Sequence, residues 1–170
     1  MIAKPSRTAR APRRASPPAN SHGIGQGGRA AHDSRWTALA QLLEELRDAG
    51  RRSIRIIDAD CGAGCLLIHA AHHARAFGFT AVEGRGIDGV PQLVGRARAA
   101  AARLANPGVG LRFEMADLLV ALDQEAEFPA DIALWRGKPA GLEEARVVEA
   151  LHRAARRVIT DRSVDAETYA

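Results

Sequence analysis

Four carboxylates in this chain stand where apolar runs end, and two of them flank a glycine turn. Ile54-Arg55-Ile56-Ile57-Asp58-Ala59-Asp60-Cys61-Gly62-Ala63-Gly64 is a short β-branched stretch that stops at two glycines before a helical pattern begins. Gly86-Ile87-Asp88 is an apolar strand end closed by an acid, 24 residues beyond Gly64. A doubly wound sheet presents an acid at about that separation to a ribose bound over its first glycine turn. With Asp117 closing a third run, the order strand, turn, helix, strand, acid, helix, strand, acid is the layout of a nucleoside site.

The turn also limits what the nucleoside can carry. A dinucleotide fingerprint needs G-x-G-x-x-G, and from Gly62 the chain offers Gly62-Ala63-Gly64-Cys65-Leu66-Leu67, without the third glycine. Started two residues earlier, Asp60 replaces the first glycine and would repel a pyrophosphate. No Gly-Lys-Ser/Thr follows, which excludes a P-loop. Two carboxylates around a glycine turn suit a ligand with positive charge and no phosphate.

The elements that position these residues follow from periodicity. Asp33 and Ser34 are placed to cap a first helix in which Trp36, Leu39, Leu43 and Leu46 recur at three- and four-residue steps, and Gly50 is placed to end it. Strand one is expected at 53–58, a helix at 63–76, and strand two ending at Asp88. Pro91 suits a helical first turn, and Leu93, Ala97, Ala101 and Leu104 form that helix's buried stripe. Strand three is expected at 109–114, a short helix after Asp117, and strand four at 131–135. A helix at 141–156, with Val147, Val148, Leu151 and Ala155 inward, and a strand at 158–160 complete the pattern. Such alternation implies a parallel sheet covered on both faces.

These motifs resemble those of the class I S-adenosylmethionine-dependent methyltransferases. Ile57 to Gly64 is similar to the family's first motif, hydrophobic-Asp-x-Gly-x-Gly-x-Gly. Gly86-Ile87-Asp88, followed by a helix with Ala97-Arg98, is similar to its second-strand acid motif. Phe113-Glu114-Met115-Ala116-Asp117-Leu118 is similar to its post-third-strand motif, and Asp131-Ile132-Ala133-Leu134 to its fourth. The resemblance spans about half the chain. It implies a Rossmann-like, doubly wound α/β fold with a mainly parallel five-stranded sheet in the order 3-2-1-4-5, helices on both faces, and S-adenosyl-L-methionine as cofactor. Gly62 and Gly64 would let the backbone approach the methionine part, and Asp58 would help hold its ammonium. Asp88 would accept from both ribose hydroxyls, Asp117 from the adenine amino group, and the Leu118 N–H would face a ring nitrogen. Met115 and Ile87 would bracket the adenine. The alternative for Asp88 and Asp117 is a helix N-cap, the lesser reading for both.

The chain departs from the family pattern in three places. Asp60 occupies the first glycine of the motif, which asks a non-glycine residue to take a positive φ and offers a second partner for the ammonium or sulfonium charge. The loop Trp135-Arg136-Gly137-Lys138-Pro139 lacks the Asn/Asp-Pro-Pro-Tyr/Phe signature, so no catalytic base is assigned and the acceptor is taken as a small molecule. Trp135 is placed to stack on it or to sit in the core, and Arg136 or Lys138 to attract an anion or face solvent. The chain also ends ten residues after Thr160, where family members continue with a strand pair. The expected form is C-terminally truncated, with the strand-five edge open to a second copy or a partner subunit. A methyltransferase is the expected function; a noncatalytic cofactor-binding or assembly module is the alternative.

A second constellation, Cys61, Cys65, His69 and His73 at four-residue steps with His72 adjacent, suggests zinc. Steps of four drift by about 40° on a helix, so no metal site is assigned. The stripe reads instead as a partly exposed polar face with Cys65 in the core.

Composition sets the remaining limits. The 170 residues, 46% hydrophobic but 4% aromatic, support one domain with an aliphatic core at 33–162. No stretch reaches the roughly 20 apolar residues needed to cross a bilayer, so a cytoplasmic protein without membrane contact is expected. Residues 1–35 carry seven cations against Asp33 alone, while the rest of the chain is net −2. Segment 1–32, rich in Pro, Ser, Ala and Gly, reads as a disordered basic tail able to contact nucleic acid nonspecifically, and 163–170 as a second tail. Deleting 1–32 is expected to leave the melting temperature and cofactor affinity unchanged while abolishing any salt-sensitive nucleic-acid association. A clearly lower melting temperature would show that the segment is structural.

Overall fold

A computed structural model describes residues 30–137 and 142–161. Most of the expected tails, together with Lys138, Pro139 and Gly141, lie outside the described residues. The chain runs α1 (Trp36–Asp48), β1 (Ser53–Ala59), α2 (Cys65–Ala76), β2 (Ala81–Asp88), α3 (Pro91–Ala101), β3 (Val109–Met115), α4 (Leu118–Glu125), β4 (Ala130–Trp135), α5 (Leu142–Ala154) and β5 (Ala155–Thr160). The sheet order is β3-β2-β1-β4-β5, and each neighbouring pair is parallel. Parallel neighbours require crossovers, which the intervening helices supply. This is the expected doubly wound α/β architecture, with β1 at its centre.

Period-two alternation sends successive strand residues to opposite faces. Ile54, Ile56, Ile132 and Leu134 join one core with Leu39 and Leu43 of α1, Leu67 and Ala71 of α2, and Val94 and Ala97 of α3. Ile57, Ala59, Ile87, Ala133 and Trp135 join the other with Ala121 and Leu122 of α4 and Val147 and Leu151 of α5. On that second face Glu125 is buried between two arginines, 2.8 Å from Arg55 and 2.9 Å from Arg85. No described helix is long and apolar enough to cross a membrane.

Several local expectations are corrected. The helix expected to reach Arg156 ends at Ala154, because Ala155 already pairs with Ala130 in the sheet ladder. The buried stripe of α3 is Val94, Ala97 and Ala100, so the helix is rotated from the expected stripe; Leu93 is only half-buried, and Ala101 and Leu104 pack at the margin. Asp33 and Ser34 do not cap α1. Its N-cap is Arg35, with no side-chain capping bond, because the Asp33 carboxylate accepts from the Arg35 guanidinium and Ser34 donates to Asp161. Ala30 is already buried.

Helix α2 and the sheet approach closely at glycines. A Cβ on Gly64, whose φ is +73°, would lie 2.6 Å from the Phe113 ring and 3.0 Å from the Ala97 methyl. Gly64→Ala therefore combines left-handed strain with overpacking. It should destabilise the fold by about 2–4 kcal/mol, measured as a lower urea midpoint at unchanged slope.

Candidate functional site

The glycine turn is built between the C-terminal ends of β1 and β2. The Cys61 N–H donates to the Ile87 carbonyl at 2.9 Å, and the Gly62 N–H donates to Asp88 Oδ2 at 2.8 Å. Asp88 Oδ1 accepts from the Val90 N–H at 2.7 Å, so one carboxylate braces both the turn and the start of α3 without being the N-cap, which is Val90. Gly62 and Gly64 both have positive φ. The side-chain position of Gly62 is open, whereas that of Gly64 faces Phe113, so only Gly62 leaves room for a ligand. Asp60 adopts φ +67°, and it is the one non-glycine residue in that region among the described residues. The conformation costs a side-chain-bearing residue about 1–2 kcal/mol, less for Asp.

Beside the turn lies an open cavity of about 510 Å³ at the C-terminal ends of β1 to β4, where a doubly wound sheet binds ligands. Ile87 and Trp135 line it from the α4–α5 face, Ala116, Leu118 and Leu119 from the start of α4, and Val147 from α5. The ionisable residues lining it are Asp60, Asp88, Asp117, Glu143 and Glu144, all acidic among the described residues. Asp117 is also the N-cap of α4, accepting from the Val120 N–H at 3.0 Å, so the capping and site roles coexist in one side chain. Met115 is 58% exposed and outside the lining. Of the two residues expected to bracket a base, Ile87 alone lines the cavity. Trp135 is both core and cavity wall, at 5% exposure. Arg136 is turned to Asp33, at 2.9 Å.

Asp58 lies beneath the turn at 0% exposure. Its Oδ1 is 3.3 Å from an Arg35 guanidinium nitrogen, and its Oδ2 has no hydrogen-bond partner. Arg35 is itself 2% exposed and donates two further bonds at 2.9 Å to Asp33. Burial pushes the Asp58 carboxyl up to about 7 against the opposing pull of Arg35. Burial also acts to raise Asp33, but Arg35 and Arg136 outweigh it and hold that carboxyl at about 2. The sequence signals the need but not the partner: a carboxylate inside a buried strand must be paired or protonated, and nothing local selects Arg35.

The Cys/His stripe does not converge. Cys61, not Cys65, is the buried thiol, because Cys61 turns inward toward Gly86 while Cys65 opens α2 half-exposed. The Trp36 ring stands 4.2 Å from His69 and 4.9 Å from His73, centroid to centroid. Among the described residues no group of three His, Cys, Asp or Glu side chains is arranged to hold a metal ion.

No protein-family model matches the chain, and no curated protein matches its sequence. Solved structures do match its fold. Magnesium protoporphyrin IX methyltransferase from Synechocystis PCC 6803, with bound S-adenosylhomocysteine, superposes with a TM-score of 0.52 at 18% identity, over 83% of this chain and 61% of that one. A Listeria monocytogenes protein assigned to the class I S-adenosylmethionine-dependent methyltransferases gives 0.55 at 21% identity, over 86% and 53%. An S-adenosylmethionine-dependent methyltransferase from Agrobacterium tumefaciens gives 0.52 at 13%, over 71% and 41%. The fold is that of the class I methyltransferases. The chain spans between two fifths and three fifths of the length of these methyltransferases.

Within this methyltransferase fold the buried acid of β1 should leave a pH signature. Asp58 titrates at about 7 when folded against 3.8 as the unperturbed value, so between those limits the folded state keeps a proton that the unfolded chain has released. That stabilisation is complete below about pH 4 and is lost as pH rises toward 7. His69 and His73, lowered by burial, act oppositely below their ordinary 6.5. The comparison with Asp58→Asn isolates the acid: the wild type should lose melting temperature between pH 5 and 8 relative to the variant. Parallel curves would place the Asp58 titration outside that window.

Proposed function

We propose that this chain is an S-adenosylmethionine-dependent methyltransferase acting on a small-molecule acceptor. The observation that carries this reading is the acid-lined cavity on a glycine turn braced by Asp88, in a methyltransferase fold. Its chemistry fits the cofactor. The methionine part carries an ammonium and a sulfonium and the molecule has no phosphate, matching five lining carboxylates. A pyrophosphate would be repelled by the same walls.

Each residue then has a task. Asp88 accepts from the ribose hydroxyls with the lone pairs its two backbone bonds leave over. Asp117 and the Leu118 N–H meet the adenine edge, and Ile87 and Leu118 supply apolar contact. Gly62 leaves space for the methionine part. When bound, the cofactor supplies an electrophilic methyl group, and the protein's contribution is to orient it toward the acceptor and exclude water. Trp135, at the end of β4, walls the same cavity.

Calorimetric titration with S-adenosylmethionine, S-adenosylhomocysteine and NAD tests the reading directly. Binding of the first two and not of NAD is expected, and tighter binding of NAD would overturn it. Asp88→Ala should weaken cofactor binding about 10- to 100-fold in a folded variant, through loss of one or two charge-assisted bonds. Cofactor binding without methyl transfer to any of a panel of small acceptors would favour a noncatalytic module.

A further inference from the structure

We infer that Asp60 is the residue by which this cavity senses the charge on the cofactor's sulfur, holding the cationic donor more tightly than its neutral product; the inference rests on the cofactor assignment proposed above. Its position follows from the sheet order. Ala59, the last residue of β1, pairs with Ile87 of β2 on one side and Trp135 of β4 on the other. Asp60 therefore leaves the central strand midway between the two halves of the cavity. Asp88 and Asp117 stand on the β2–β3 side, and Trp135 and Glu143 on the β4–α5 side. On the proposed function, with the ribose at Asp88 and the acceptor on the Trp135 side of the cavity, the sulfur between them lies over the end of β1.

A second feature points the same way. Asp60 is held at φ +67°, where glycine is unstrained and an aspartate is not, although it lines a cavity and fills no core. Strain kept in a cavity wall marks a side chain with a task there. Gly62 and Gly64 of the same turn also have positive φ, and Asp60 is the residue of the three that carries a side chain there.

The chemistry gives the task its direction. In transfer, a lone pair of the acceptor forms a bond to the methyl carbon as the carbon–sulfur bond breaks. Its electron pair stays on sulfur, so a sulfonium becomes a neutral thioether. A carboxylate at the β1 exit attracts the first and not the second, in a pocket more shielded than bulk water. The site then favours the donor and releases the product.

Calorimetry of the full chain with S-adenosylmethionine and S-adenosylhomocysteine, for wild type, Asp60→Asn and Asp60→Gly, decides it. Asparagine keeps the shape and tolerates positive φ, and glycine relaxes it, so at least one variant retains the fold, as melting curves will show. The wild type should bind the sulfonium about tenfold more tightly than the thioether, a difference of about 1.4 kcal/mol. In both variants that ratio should fall to about threefold or less, chiefly through weaker binding of S-adenosylmethionine. A ratio that survives in the folded variants, or a wild type that binds both ligands equally, overturns the role of Asp60 and leaves the cofactor assignment standing. A wild type that binds neither ligand overturns both.

Discussion

A fully buried carboxylate on the central strand sets the terms for the rest of this molecule. Asp58 occupies a position where its neighbours Ile56, Ile57 and Ala59 are completely enclosed, and an ionised group there must be compensated or protonated. The chain supplies Arg35 from the approach to α1, and Asp33 and Arg136 extend the chain of charges. One network thus fastens the segment before α1 to the exits of β1 and β4. Its cation is shared unequally. Two of the three Arg35 bonds go to Asp33, and the weaker 3.3 Å contact goes to Asp58, which leaves the strand acid partly protonated near neutrality and one oxygen unpartnered.

What could be read directly from the sequence was local. The β-branched runs, the glycines that end them and the acids at their tips are features of a few consecutive residues, and β1 to β4 appear where those features place them. The sheet order came from the resemblance that the motif order carries, and the strands pair in that order. Long-range pairing was not legible. Arg35 with Asp58, and Arg55 and Arg85 with Glu125, join residues 23 to 70 positions apart, and no local pattern selects those partners. The exchange of roles between Cys61 and Cys65 had the same origin: which thiol turns inward depends on Gly86 across the sheet. The rotated stripe of α3 shows the limit of spacing alone, since alanine is too small to mark a buried face unambiguously.

The candidate site divides in the same way. Asp60, Asp88, Asp117, Ile87 and Leu118 line one cavity, and Gly62 is bonded to Asp88 beside it, because each sits at the end of a strand or on the first residues after one. Met115 lies just inside β3, where the strand fixes its direction and turns it to the surface. Glu143 and Glu144 enter from α5, whose approach to the cavity is a matter of tertiary packing.

The burial of Cys61 has a chemical consequence for the turn. Desolvation, reinforced by the nearby charges of Asp58, Asp88 and Asp60, holds its thiol far above the ordinary range, so almost no thiolate forms at neutral pH. Thiolate is the form that alkylating agents and peroxides attack. A sulfur embedded in the glycine turn is thereby made inert, while Cys65, four residues on and half-exposed, meets oxidants first. Burial, with the negative charges around it, thus guards the thiol of the turn against covalent damage.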